Sequence, residues 1–279
     1  MLGFGVLLTA LLLGVRHAFD ADHIAAIDNV TRQLMGRDGT RTRGRAAGAV
    51  GFFFAAGHST VVLAMSVLTI AGAAFARPLL ADDSPGRQAL GLFGSCVSIG
   101  FLLIVGLMNL KMLIGLIRGA QKTAPGWLLR KTELVTRPWQ MFFVGFLFGL
   151  GFDTATEIAL LVLAATTAAS GASLWLALAV PLSFAVGMSF FDTLDGWLMG
   201  LVYRSTLVGQ DRERWYNLAF TGLSVVVALG VGLVELAGLI LGEDLVDSER
   251  VGYAVVALFV ALWAARLASA ARSRAAARS

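Results

Sequence analysis

The chain of 279 residues is 57% hydrophobic and only 14% charged, with a mean hydropathy of +0.78. That balance excludes an ordinary soluble domain and is expected where lipid covers much of the surface. The net charge of +4 sits in loops between apolar runs, which retention on the cytoplasmic side of a membrane explains without nucleic acid, and the single Cys96 excludes a disulfide framework or a cysteine-rich metal site within one chain.

Taken in chain order, apolar runs long enough to cross a bilayer predict about seven helices: Leu2 to Asn29, Ala46 to Ala76, Ala89 to Ile117, Trp139 to Ala169, Ser173 to Tyr203, Trp215 to Leu241 and Val251 to Ala270. The opening run has the length of a signal-peptide core. It lacks a basic leader and a small-residue cleavage site, so it is read as mature structure. The expectation is an all-α integral membrane protein whose 279 residues form one transport domain.

Charge orients these spans. The connections after the first, third and fifth carry Arg32, Arg37, Arg41, Arg43 and Arg45, then Arg118, Lys122, Arg130, Lys131 and Arg137, then Arg204, Arg212 and Arg214. The sixth connection is acidic, with Glu243, Asp244, Asp247 and Glu249. The positive-inside tendency then predicts an outside N-terminus, an inside C-terminus and a multi-pass protein of the cytoplasmic (inner) membrane.

Removing the loops leaves His17, His23, His58, Asp20, Asp22, Asp28, Asp153, Glu157, Asp192, Asp195 and Glu235 in or near the spans, against Arg16 and Lys111. Each ionisable group at bilayer depth costs about 2.5 kcal/mol or more, so this many imply a shared wet or liganded cavity. The acidic excess points to a cationic guest, and imidazole beside carboxylate suits a divalent first-row transition metal better than an alkali ion. The competing reading of His17 and His23 is a hydrogen-bonded interhelical pair or a proton relay; for His58, alone in "AAGHSTVV", it is simple packing.

Geometry constrains the first cluster. At about 100° per residue, His17, Asp20 and His23 fan over about 120° and Asp22 points away from His17, so one straight helix cannot aim all four at one ion. Either the helix is distorted there, or some of these groups bond to the ligands instead of the metal. Asp153 and Glu157 at i and i+4, and Asp192 and Asp195 at i and i+3, each share a helix face and line the same cavity on this reading; polar packing against neighbouring Thr hydroxyls is the alternative. Gly145 and Gly149, and Gly196 and Gly200, have the spacing that lets helices approach closely. Asp28 and Lys111 are expected to snorkel toward the cytoplasmic surface, and Glu235 is unassigned.

"HAFDADHIA" aligns with "GFDTATEIA", and "AAGHS" with "AVGMS", at nearly equal offsets. Read as a 3+3 inverted repeat, residues 1–117 correspond to 139–241, with an additional C-terminal helix over 251–270. Such repeats place substrate near the midplane and permit alternating access.

The motifs "RHAFDADHI", "GHSTVV", "LGFDTATE" and "GMSFFDTLD" resemble the successive signatures of the nickel/cobalt transporter family, the NiCoT permeases, from the first span through the fifth. The resemblance implies secondary transport of Ni2+ or Co2+, with His17, Asp22 and His23 central to recognition and functional roles at His58, Asp153, Thr154, Glu157, Asp192 and Asp195. Such permeases commonly carry the first signature on the second of eight helices, whereas here it is on the first.

Together these readings predict uptake of Ni2+ and/or Co2+ by alternating access, with the ion as substrate and no resident cofactor. The partners expected are the metal ion and the lipid bilayer. No P-loop is present, so no ATPase subunit is required by the sequence. A metal exporter differs only in direction, and an intramembrane metalloenzyme would need an open coordination position and a general base.

Overall fold

The computed structural model describes residues 2–37, 43–72, 85–118, 134–151, 154–206, 212–243 and 245–276, and among them the regular structure is helical throughout. We number the helices α1 (Leu2–His17), α2 (Ala21–Arg37), α3 (Arg43–Ala71), α4 (Pro85–Ile117), α5 (Met141–Phe148), α6 (Ala155–Ala169), α7 (Leu174–Thr206), α8 (Arg212–Leu241) and α9 (Ser248–Ala276). A single 3-10 turn, Pro138–Gln140, leads into α5; its Gln140 Oε1 accepts the backbone N–H groups of Thr136 and Arg137 at 2.7 and 2.9 Å.

Among the described residues, four stretches are long and apolar enough to cross a membrane on their own: Ala47–Ala71, Pro85–Ile117, Leu174–Leu201 and Leu218–Leu241. The α1–α2 pair makes a fifth if it counts as one broken span. Large apolar side chains stand exposed around the molecule, among them Phe4, Leu12, Leu107, Phe143, Val186 and Val226, as expected where acyl chains replace water.

The expected first span, Leu2 to Asn29, is two helices bent by 60°. The α1 ladder closes in short-range bonds, Phe19 N–H to Arg16 O (3.1 Å) and Asp20 N–H to His17 O (3.0 Å), and the Asp20 carbonyl accepts the first bond of α2, from Ile24 N–H at 3.2 Å. Both ways out of the fan of side chains are adopted: the helix is distorted, and Asp20 bonds to His17. The expected span Trp139 to Ala169 is likewise two helices, because Thr154 and Glu157 form the Thr-x-x-Glu signature of a helix start and Thr154 Oγ1 accepts Glu157 N–H at 3.4 Å. The expected sharing of one helix face by Asp153 and Glu157 falls on a residue outside the described ones.

α2 is the unusual element. Its Asp28, Asn29 and Thr31 are 1%, 0% and 0% exposed, although α2 carries far more polar residues than any span around it. It is tolerated because α3, α4, α7, α8 and α9 all pack on it, keeping its polar groups from lipid. Asn29 Nδ2 donates to Ala25 O at 2.6 Å and Asn29 Oδ1 accepts from Asn109 of α4, while Arg32 donates to Phe220 O at 3.0 Å and to Ser224 Oγ on α8. Asp28 is thus buried, not snorkelling to the surface as its position near the end of the run suggested. Lys111 is exposed, as expected.

Close helix crossings here depend on glycine. On α1 and α7, a Cβ at Gly14 would strike the Phe184 carbonyl and one at Gly187 the Leu11 carbonyl. On α3 and α5, a Cβ at Gly145 would strike the Phe54 carbonyl and one at Gly57 the Phe142 carbonyl. The small-residue spacing read from sequence does serve packing: Gly149 lies 3.0 Å from His58 O and Gly196 2.6 Å from Ala47 O, measured from where a Cβ would stand.

Candidate metal centre

His17 ends α1, His23 lies in the first turns of α2 and His58 is midway along α3. The break between α1 and α2 turns the first two toward the third. All three are buried, and each offers a ring nitrogen within 4.8 Å of the others. His17 Nε2 faces His58 Nε2 at 3.0 Å, and Glu157 Oε1, from the first turn of α6, stands 2.9 Å from His58 Nε2 and 3.9 Å from His17 Nε2. Helices α1, α2, α3 and α6 therefore each contribute one group.

The surroundings orient these donors. His17 Nδ1 lies 2.9 Å from Asp20 Oδ2 and 3.1 Å from Thr156 Oγ1. A carboxylate there favours the tautomer with its proton on Nδ1, which leaves Nε2 as a lone pair aimed at the cluster. Glu157 Oε2 is held by the Thr154 hydroxyl at 3.0 Å. His17 Nε2 and Glu157 Oε1 then both face His58 Nε2, and a single imidazole proton cannot satisfy both of them; His58 Nδ1 has no hydrogen-bond partner. A cation accepts all three lone pairs at once.

Of the residues singled out in the sequence, His17, His23, His58 and Glu157 come together, with Asp20 directly behind His17. Asp192 is at the edge: it is 1% exposed, its Oδ2 is 3.8 Å from His23 Nδ1, and neither oxygen has a hydrogen-bond partner. Asp22 is turned away. Its Oδ1 accepts the His23 backbone N–H at 2.8 Å, and its Oδ2 lies 3.5 Å from Ser98 Oγ on α4, which also donates to Glu235 Oε2 of α8 at 2.9 Å. Asp195 lies one turn beyond Asp192, and Asp153 falls outside the described residues. Sequence reasoning passed over Thr156 and left Glu235 unassigned; the capping signature at Thr154 was the one signal that could have placed Thr156 and Glu157 together at a helix start.

Comparison with known proteins identifies the family. The family model described as high-affinity nickel-transport protein, NicO, matches residues 3–268. The nickel transporter NicT of Mycobacterium tuberculosis is 44% identical, covering 95% of this chain and 78% of NicT. The hydrogenase nickel incorporation protein HupN of Bradyrhizobium diazoefficiens is 41% identical over 92% and 74% of the two chains, and the cobalt transport protein NhlF of Rhodococcus rhodochrous 37% over 95% and 82%. No solved structure matches the chain. With a family model matching nearly its whole length and relatives this similar across most of both sequences, the chain belongs to the NicO family of high-affinity nickel-transport proteins.

Proposed function

We propose that the chain is a secondary transporter that takes up Ni2+ and/or Co2+ across the cytoplasmic membrane, stripping part of the ion's water shell at the His17, His23, His58 and Glu157 donors. The observation that carries this reading is the convergence of three buried imidazoles and one carboxylate around a point that no single proton can satisfy. Relatives named as nickel and cobalt transporters support the same cargo. Family membership also makes it a permease, not an enzyme.

Asp20 holds His17 in its donor tautomer, and Asp22, Asp153, Asp192 and Asp195 complete the acidic lining through which the ion approaches and leaves.

Seven crossings, with the α5–α6 pair and α9 spanning as well, the N-terminus outside and the C-terminus inside, fit the distribution of basic connections. An inverted repeat is supported by the glycine crossings. The shift along the chain that lays Gly57-His58-Ser59 over Gly187-Met188-Ser189 also lays Phe54 over Phe184, and a shift one residue longer lays Leu11 over Phe142 and Gly14 over Gly145. The α1–α7 crossing and the α3–α5 crossing are thereby mates, and rocking one set against the other exposes the site alternately. Inward movement of a divalent ion gains about 4.6 kcal/mol per 100 mV of inside-negative potential, enough for roughly a thousandfold accumulation without a second ion.

The test is metal uptake into liposomes holding the purified protein under an imposed potential. Wild type accumulates Ni2+ and Co2+, and His17→Ala and His58→Ala do not; normal uptake by both variants would overturn the assignment. Orientation is tested by labelling a cysteine placed at Arg41 in a Cys96-free background: access from outside intact cells would reverse it.

A further inference from the structure

The seam between α2 and α7 carries a second set of carboxylates that the imidazole cluster does not use. Asp192 on α7 is 1% exposed, and neither of its oxygens has a hydrogen-bond partner. It faces His23 Nδ1, also buried and without a hydrogen bond, across 3.8 Å. One turn further along α7, Asp195 Oδ2 is buried and likewise without a partner. On α2, five residues past His23, Asp28 is 1% exposed, and α2 packs against α7.

A proton leaves Asp192 without a partner. A protonated carboxyl becomes a donor that needs an acceptor, and Asp192 has none within hydrogen-bond distance, since 3.8 Å is too far for a bond to His23. A cation needs only the oxygens, and its charge offsets the mutual repulsion and the desolvation of all three acids. The groups also lie in sequence: from His23 to Asp28 along α2, and from Asp192 to Asp195 along α7, both chains lead away from the imidazoles toward the end of α2 that carries Arg32.

We propose that Asp192, Asp195 and Asp28, with His23 as their shared edge, form a second divalent-cation station on the cytoplasmic side of the imidazole cluster. This rests on the transport reading above and extends it. Carboxylate oxygens bind Ni2+ or Co2+ less tightly than an imidazole set does, so the ion moves from a nitrogen-rich station that selects it to an oxygen-rich one that lets it go. Entry of a second ion at the imidazoles drives the first on toward the cytoplasm by repulsion, as between adjacent sites in channels.

The test is equilibrium dialysis of Ni2+ against the purified full chain in detergent, beside uptake in liposomes, with size-exclusion profiles to certify folding. Wild type is expected to saturate with two ions per chain, one tight and one weak. Asp195→Asn is expected to lose the weak ion, keep the tight one within about twofold in affinity, and transport about tenfold more slowly; Asp195→Glu restores the weak ion, and Asp28→Asn repeats the loss from the other helix. His58→Ala is expected to lose the tight ion. Saturation of wild type at one ion, or two ions retained by folded Asp195→Asn and Asp28→Asn, would overturn the second station while leaving the imidazole site standing. No bound ion at all in wild type would remove both.

Discussion

Two helix starts of this protein, at α2 and at α6, place side chains at the cluster with different chemistry. α2 follows a 60° bend after α1, α6 is a separate short apolar helix after α5, and each opens with a polar first turn. At the first break the restart spends its acid on an imidazole: Asp20 supplies its carbonyl to α2 but turns its carboxylate to His17. At the second, Thr154 caps α6 and braces Glu157, which itself faces the cluster. The first break thus delivers two nitrogen donors with an acid behind them, and the second delivers one oxygen donor with a hydroxyl behind it. Removal of a donor should therefore cost more at the first break than removal of a brace at the second.

The largest effect is expected at the donors of the first break. His17→Ala should lower Ni2+ uptake at saturating potential by at least about a hundredfold, measured in liposomes, since it removes a nitrogen ligand outright. Asp20→Asn keeps the size of the side chain but not its charge; it should weaken Ni2+ binding by about 10- to 100-fold in dialysis. Thr154→Ala, its counterpart at the second break, removes both the helix cap and the brace on Glu157. A stability loss of about 1 kcal/mol in detergent melts is expected, with Ni2+ affinity falling by less than for Asp20→Asn. Equal or reversed affinity losses at the two positions would end the comparison. Ser98→Ala should have the smallest effect, about twofold on uptake, because Asp22 and Glu235 lie beside the cluster rather than in it.

Much of this was legible in the sequence, for reasons that differ residue by residue. Composition alone gives the membrane class, and the scarcity of histidine made all three candidates visible. A break after His17 was one of two ways geometry left open, because no straight helix could aim positions 17, 20, 22 and 23 at one point. The break before Glu157 lay inside an apolar run long enough to look like one span; Gly149, Gly151 and the Thr-x-x-Glu signature were its local marks. Asp28 looked like a residue near a helix end with a path to water, and its burial depends on five neighbouring helices that no local pattern specifies. The same is true of Asp22. Its spacing from His17 and His23 is set by the chain, but the direction of its carboxylate is set by Ser98 on a distant helix.

α9 adds a mechanical consequence to the first break. Ser248 Oγ accepts the N–H of Ala21 at 3.1 Å, Glu249 holds Arg16, and Gly252 leaves room for the Phe19 carbonyl where any Cβ would collide. Tyr253 stacks on Phe19, with ring centres 4.8 Å apart. The elbow between α1 and α2 is therefore riveted to the head of α9 at four successive points. It cannot straighten or swing without dragging that helix along, so any stroke that reshapes the metal's seat is geared to a displacement at the far end of the polypeptide, where a tag or label would register it.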